Sequence, residues 1–147
     1  MAEVMCLIGG FFVPSAPWEA LLPEEIERLR DPARAASRCW DLLVLTPRGA
    51  RALADAPLRA RVLLLSGESV PPKLRAETVV TCGLSARHSV TLSGVEEAVL
   101  CVQRTVPLLC GGTLEPQEFP LAGVTDAVER LAYLAARLLW TGSPYIE

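Results

Sequence analysis

Short apolar runs alternate with amphipathic segments through the first two-thirds of the chain. Residues 3–8, 41–45, 61–65 and 78–82 are almost continuously apolar, and each run stops at glycine, proline or serine. Continuous apolar strands separated by helices are typical of a parallel sheet that is covered on both faces. Residues 1–84 are therefore predicted to form a small three-layer, Rossmann-like α/β unit with right-handed crossovers.

The segments between these runs predict helices and turns. A helix is expected to begin at residues 22–25, where proline and two acids occupy the first turn, and to end before Pro32. A second helix is expected over 48–56 with Leu53 inward, and a brief turn or a single helical turn is expected around 72–75. Gly9-Gly10 is predicted to be a tight turn that ends the first strand, because Phe-Phe-Val follows it in place of a helix N-terminus.

After residue 84 the pattern indicates an antiparallel meander over 85–122. Residues 89–93 alternate strictly, which predicts a half-exposed strand, and 98–106 form a longer one. The segment 110–113, Cys-Gly-Gly-Thr, has the composition of a hairpin turn. Residues 114–121 are predicted to return as the partner strand, and Pro116 and Pro120 place that strand on a sheet edge.

The final element is an amphipathic helix over 124–142. Asp126 and Glu129 have capping-box spacing, an apolar stripe follows, and Gly142 and Pro144 end the helix. The whole chain of 147 residues is predicted to be one domain.

Composition narrows the class of protein. The hydrophobic fraction of 51% indicates a globular core, and the formal charge is −3. The arginines are scattered, most densely at 28–30, 34–38 and 48–51, and are interpreted as solvated helix faces. The chain has neither a basic stripe nor a stacking platform, which argues against nucleic-acid binding.

Location is inferred from the N-terminus and the cysteines. The apolar run at 4–13 is shorter than the roughly 20 residues that a membrane span needs. No basic residue precedes it, as a signal peptide would require. Five cysteines without framework spacing fit a reducing compartment, so a cytoplasmic protein without membrane attachment is expected.

The sequence lacks the motifs that several common enzyme chemistries and binding sites require. GxxxxGKS/T, GxGxxG, Gly-x-Ser-x-Gly and CxxC are all absent, and the chain has one lysine, Lys73, and one histidine, His88. No metal, cofactor or catalytic residue is therefore assigned. His88 lies in a polar loop and is predicted to be a solvated surface residue. A Cys82–His88 nucleophile pair is conceivable, but the apolar run around Cys82 gives no reason for a lowered pKa.

Two candidate sites follow from the predicted sheet. Ligands of parallel sheets collect outside the carboxyl ends of the strands, where small polar groups are expected in a crevice. Ordinary loop and cap chemistry is the alternative explanation for these groups. The crevice candidates are Thr46, Ser66, Gly67, Glu68 and Gly83.

The second candidate is an interaction surface on the meander, where polar side chains are dense. A cross-strand pair between Arg104 and a glutamate is the alternative explanation. The candidates are Gln103, Arg104, Glu115, Gln117 and Glu118.

One stretch has a partial family resemblance. In residues 62–93, Ser66-Gly67-Glu68 ends a strand and Thr81-Cys82-Gly83-Leu84 ends the next, before an alternating strand. This stretch resembles the end of the central ATP-binding domain of Mur ligases, which has a TYGL-like turn at the second position. The chain has no counterpart of that family's phosphate loop, magnesium-binding acids or C-terminal domain. The resemblance therefore implies a reduced relative without ATPase activity.

Three functions are compatible with these observations. The leading hypothesis is a non-catalytic binding or scaffolding domain, which binds a protein partner or itself through the meander and the last helix. The alternative is a regulator that binds a nucleotide or nucleotide sugar in the crevice. An enzyme with an unfamiliar site would need at least two of Cys82, His88, Glu68 and Arg104 within hydrogen-bond reach of each other.

Overall fold

The fold is built on one mixed, mostly parallel sheet of eight strands. The computed structural model describes residues 7–53, 55–67, 73–94 and 97–146. The strands are β1 (Gly9–Phe12), β2 (Ile26–Leu29), β3 (Cys39–Leu45), β4 (Leu58–Ser66), β5 (Leu74–Cys82), β6 (Val90–Ser93), β7 (Val99–Val102), β8 (Val106–Pro107), β9 (Thr113–Leu114) and β10 (Gln117–Pro120). The sheet order is β10-β7-β6-β5-β4-β3-β1-β2, and β8 pairs with β9 separately.

Strand direction divides the sheet as the sequence predicts. The strands from β2 across to β6 run parallel to their neighbours, whereas β6, β7 and β10 pair antiparallel. The predicted α/β class, with a mainly parallel sheet extended by antiparallel C-terminal strands and a last helix, is confirmed.

Helices lie over both faces of the parallel strands. They are α1 (Pro32–Ala36), α2 (Pro47–Leu53) and α3 (Ala127–Thr141), and a 3₁₀ helix spans Ala16–Leu21. Successive residues of β3 enter opposite cores: Leu42 packs in the core that contains α3, and Leu43 packs in the core that contains Leu53 of α2. Burial on both faces explains why β3 and β4 read as continuous apolar runs.

The central predictions are confirmed with shifted boundaries. β3, β4 and β5 contain the predicted runs 41–45, 61–65 and 78–82, and α2 buries Leu53 as expected. Of the brief turn or single helical turn predicted around 72–75, only Lys73 lies in a turn among the described residues. Leu74 and Arg75 already pair with Leu58 and Arg59 of β4.

The first strand lies further along the chain than predicted. Residues 3–6 of the predicted strand lie outside the described residues, and the expected turn at Gly9-Gly10 is instead the start of β1. A Cβ on Gly9 would lie 2.6 Å from Cζ3 of Trp140, and one on Gly10 would lie 3.2 Å from Cε3 of Trp40. The two glycines therefore admit an indole ring against each face of the strand.

The helix predicted from residue 22 is also wrong, because 26–29 form the edge strand β2. Ile26 and Leu29 are three residues apart, a spacing that suits one face of a helix. In a strand the same spacing directs the two side chains to opposite faces, and each enters a different core. The guanidinium of Arg28 closes the preceding turn by donating to carbonyls that include those of Glu19 (2.9 Å) and Pro23 (3.1 Å).

The antiparallel region confirms the predicted hairpin turn and edge strand, but the strands predicted over 98–106 and 114–121 are each divided in two, and the parts nearest the turn, β8 and β9, form a separate pair. The turn at 110–113 joins β8 to β9, and β10 is the last strand of the sheet. The Leu121 N–H donates to the Ala98 carbonyl, so the backbone groups of positions 117, 119 and 121 point toward β7. The backbone groups of positions 116, 118 and 120 point away from the sheet. Pro116 and Pro120 carry no N–H, which leaves few donors for a further strand.

The last helix is confirmed, but its capping box is wrong. α3 buries its apolar stripe from Leu131 onward and leaves Val128 exposed, and Gly142 ends the helix in a left-handed conformation with its N–H bonded to the Leu138 carbonyl. Asp126 has φ 55° and ψ 39°, and its side chain makes no cap hydrogen bond. A capping side chain needs an extended backbone to reach the first free N–H groups, and this conformation does not provide it.

Among the described residues, none of the helices combines the length and the apolar character that a membrane crossing requires.

Candidate functional site

A cavity of about 570 Å³ lies across the antiparallel end of the sheet. We call it the meander cavity. The helices α1 and α2 pack on β2, β3 and β4, and the cavity occupies the region around β6, β7 and β10. Its polar lining consists of Thr91, Ser93, Cys101, Gln103, Gln117 and Glu118.

Strand register aligns three of these side chains in one row. Thr91 of β6 pairs with Cys101 of β7, and Cys101 pairs with Glu118 of β10. Their neighbours Val90 and Leu100 are fully buried in the core that contains α3. Because side chains alternate along a strand, the row Thr91–Cys101–Glu118 lies on the opposite face, where the cavity opens.

Thr91 has a buried polar atom without a described partner. The residue is 7% exposed, and its Oγ1 has no hydrogen-bond partner among the described residues. A buried hydroxyl without a partner costs about 1–3 kcal/mol, so it favours a bound group that can pair with it. By contrast, the Cys101 thiol is already held, 3.3 Å from Ser93 Oγ and 3.7 Å from the Val99 carbonyl.

The predicted interaction surface is divided between the cavity and its surroundings. Gln103, Gln117 and Glu118 line the cavity, whereas Arg104 donates to the Arg87 carbonyl at 2.5 Å. Glu115 accepts a hydrogen bond from the Thr105 hydroxyl at 3.0 Å. The cross-strand pair offered for Arg104 does not form among the described residues, because Arg104 lies beyond the end of β7 and turns toward the 83–89 loop.

Sequence reasoning missed the floor of the cavity. Thr91, Ser93 and Cys101 were not among the candidates, although the strict alternation of 89–93 carries a usable signal. It places Thr91 and Ser93 on one face, and only the pairing with β7 shows that this face is the open one.

A smaller cavity of about 270 Å³ lies where two of the crevice candidates meet. Thr46 and Ser66 line it together, at the carboxyl ends of β3 and β4, with Arg48 and Tyr133 among the other lining residues. The Thr46 hydroxyl accepts from the Gly49 N–H at 3.1 Å, and the Tyr133 hydroxyl accepts from the Ser15 N–H at 2.6 Å. Burial raises the pKa of Tyr133, so this phenol stays protonated.

The remaining crevice candidates are placed differently. Gly67 follows β4 with φ 81° and donates its N–H to the Cys82 carbonyl at 3.0 Å. Gly83 does not line this cavity, and Glu68 lies outside the described residues.

His88 is buried, which corrects its prediction as a solvated residue. It is 5% exposed, and a Cβ on Gly83 would lie 2.5 Å from its Nε2, so the ring rests on the Gly83 backbone. Burial, together with the charges of Arg87 and Arg104, lowers the pKa of His88.

Among the enzyme candidates that the structure describes, no nucleophile–base pair is assembled. Cys82 is fully buried, and burial raises the pKa of its thiol to about 12, so the reactive thiolate is disfavoured. Cys82, His88 and Arg104 form no hydrogen bond with one another in the described structure. Within the described ranges, no three histidine, cysteine or acidic residues come close enough to hold a metal ion.

Comparison of the chain with protein families, with characterised proteins and with solved structures gave no match.

Proposed function

We propose that this protein is a non-catalytic binding domain that takes a segment of a protein partner into the meander cavity. The observation that carries the proposal is the row Thr91–Cys101–Glu118, which combines a buried hydroxyl that has no described partner with an exposed carboxylate in one cavity. The cavity volume of about 570 Å³ lies within the range of about 300–1,000 Å³ that is usual for ligand sites.

The chemistry of the lining favours a segment that donates hydrogen bonds. Glu118 supplies two anionic acceptors, and Gln103 and Gln117 supply amide oxygens. Leu84, which is 62% exposed, and Pro116 add apolar surface beside these groups. An extended segment with a lysine or arginine side chain would place its cation at Glu118 and its apolar stem along Leu84.

The test uses acetylated hexapeptides that differ only in one central residue: Lys, Arg, Gln, Glu or Leu. Binding is measured by fluorescence anisotropy at low salt. We expect the Lys and Arg peptides to bind most tightly and Glu118→Gln to weaken them about tenfold, since the charge-assisted contact is lost. Glu25→Gln removes an equally exposed carboxylate at the far end of the sheet and serves as the control.

A cavity-filling variant separates this site from nonspecific binding. Ala86 is exposed and lines the cavity, so Ala86→Trp would occupy the space and reduce binding of every peptide. Equal binding by wild type and Ala86→Trp, or no saturation by any peptide at millimolar concentration, would overturn the proposal.

A second candidate function uses the crevice. Thr46 and Ser66 meet at the carboxyl ends of parallel strands, which is the usual ligand position in such sheets. We propose a nucleotide or nucleotide sugar as its ligand. Three expectations from the sequence stay predictions under this proposal. They are a kinship with Mur ligases, a Rossmann-like three-layer arrangement and a cytoplasmic location.

The crevice is tested by a thermal-shift screen of nucleotides, nucleotide sugars and peptidoglycan precursors. A ligand at 100 times its dissociation constant adds about 2.7 kcal/mol of stability. We expect Arg48→Gln and Glu68→Ala to abolish the shift and Ala86→Trp to leave it unchanged. A flat screen would reject the crevice without bearing on the peptide assay.

A further inference from the structure

Strand pairing brings together basic residues that are far apart in the sequence. Arg59 of β4 and Arg75 of β5 occupy directly paired positions, and Lys73 immediately precedes β5. Neighbouring strands lie about 4.8 Å apart, so the two arginine side chains leave the sheet side by side. All three residues are exposed. We call this group the basic row.

The charge of the basic row is not balanced by the described residues. Arg61, two residues along β4 from Arg59, pairs with Asp41 at 3.0 Å and with Glu77 at 3.8 Å. No described acid forms an ion pair with Arg59, Lys73 or Arg75.

Of the three arginine groups that are dense in the sequence, those at 28–30 and 34–38 are, by contrast, engaged locally. Arg30 pairs with Glu19, and Arg34 binds Glu27 through two hydrogen bonds of 2.8 Å. In a chain with a formal charge of −3, the basic row is therefore a local concentration of free positive charge.

Two cavities adjoin the row. One of about 530 Å³ is lined by Pro57, Leu58, Arg59, Lys73, Leu74 and Arg75. Another, of about 320 Å³, is lined by both arginines together with Cys39 and Glu77. Like charges in directly paired strand positions destabilise a sheet, and a bound anion would reverse that repulsion.

We propose that the basic row binds the phosphate group of a small phosphorylated molecule. Each guanidinium presents a planar fork of donors that matches phosphate oxygens, and two forks that leave neighbouring strands at paired positions can converge on one phosphate or diphosphate. Lys73 adds a third cation, and the flanking cavities leave room for the rest of the molecule. Two cations on neighbouring strands and a third just before one of them form a compact site rather than the extended stripe that a nucleic acid requires.

The experiment is isothermal titration calorimetry of the full chain with pyrophosphate, a nucleoside diphosphate and a single-stranded 12-mer oligonucleotide. Each titration is made at 50 and 200 mM salt, because exposed charge contacts weaken with ionic strength. The variants are Arg59→Gln and Arg75→Gln, and Arg51→Gln on α2 is the matched control with the same charge change at an exposed site.

We expect wild type to bind pyrophosphate and the diphosphate, and each row variant to lose at least tenfold in affinity while Arg51→Gln loses less than twofold. Thermal unfolding of Arg75→Gln should be unchanged or occur at higher temperature, because the repulsion is relieved, which separates lost binding from lost folding. The proposal is overturned if wild type binds neither small phosphate at millimolar concentration. It is also overturned if all three variants lose equally, or if the oligonucleotide binds more tightly than the diphosphate.

Discussion

Alanine at Gly9 should destabilise the fold, although the Gly9 backbone does not lie in the left-handed region that favours glycine. At such a position alanine ordinarily stabilises a protein by about 0.4–1 kcal/mol, because it restricts the unfolded chain. Gly9 is fully enclosed in β1, and the indole of Trp140 lies directly against it. The sign of the effect therefore depends on packing.

The contact distances predict that packing dominates. The added Cβ would lie 2.6 Å from Cζ3 and 3.0 Å from Cη2 of Trp140, and 3.3 Å from Cγ1 of Ile26. Ordinary carbon contacts begin at 3.4 Å, and Trp140 is 8% exposed in α3, so the ring has little space to withdraw. Overpacking of this kind costs about 1–3 kcal/mol. The net expectation is a loss of about 1–2 kcal/mol, which lowers Tm by about 3–6 °C in a chain of this size.

A double-mutant cycle isolates the contact. Urea unfolding followed by circular dichroism is measured for wild type, Gly9→Ala, Trp140→Leu and the double variant. Trp140→Leu itself costs several kcal/mol, but it removes the two ring atoms that Cβ would meet. In that background Gly9→Ala should be neutral or stabilising, which corresponds to a coupling energy of about 1–3 kcal/mol. A neutral Gly9→Ala in the wild-type background, or the same cost in both backgrounds, would refute the reasoning.

Three further perturbations test other contacts. Arg28→Lys should cost about 1–2 kcal/mol in urea unfolding, because an ammonium cannot reach the set of carbonyls that the guanidinium binds; an unchanged midpoint would contradict this. Iodoacetamide at pH 8 should label the exposed Cys39 and Cys110 in the native protein, and Cys82 only in urea, as read by mass spectrometry. Because the folded-state pKa of His88 is lowered from 6.5, the unfolded chain binds more protons near pH 6. The contribution of His88 to the free energy of unfolding should therefore be fully present above pH 6.5 and should decrease as the pH falls toward the folded-state pKa. An equally steep decrease in a His88→Gln variant would disprove this contribution.

The sequence predicts the candidate sites only to the extent that it predicts which strands are neighbours in the sheet. Thr46 and Ser66 were expected together because the carboxyl ends of parallel strands meet at one edge, and they line one cavity. Gln103, Gln117 and Glu118 were found from polar density alone. Thr91 and Cys101 were missed because a threonine or a cysteine in a strand reads as ordinary packing until its open face is known. The pair Arg59–Arg75 was missed because sixteen residues separate them, and only the β4–β5 register makes them neighbours.

The sequence by itself determined the elements whose apolar pattern is compatible with only one conformation. The continuous runs in β3, β4 and β5 are too short and too evenly apolar for amphipathic helices, and the stripe of α3 repeats over four turns. Tertiary structure decided the positions where a local pattern fits two conformations. The spacing of Ile26 and Leu29 suits a helix or a strand between two cores, and a glycine pair suits a turn or a strand between two indoles. At these positions the intrinsic propensities for helix, strand and turn differ by less free energy than the burial of one large side chain contributes. The packing partners, which lie far away in the chain, therefore determine the conformation.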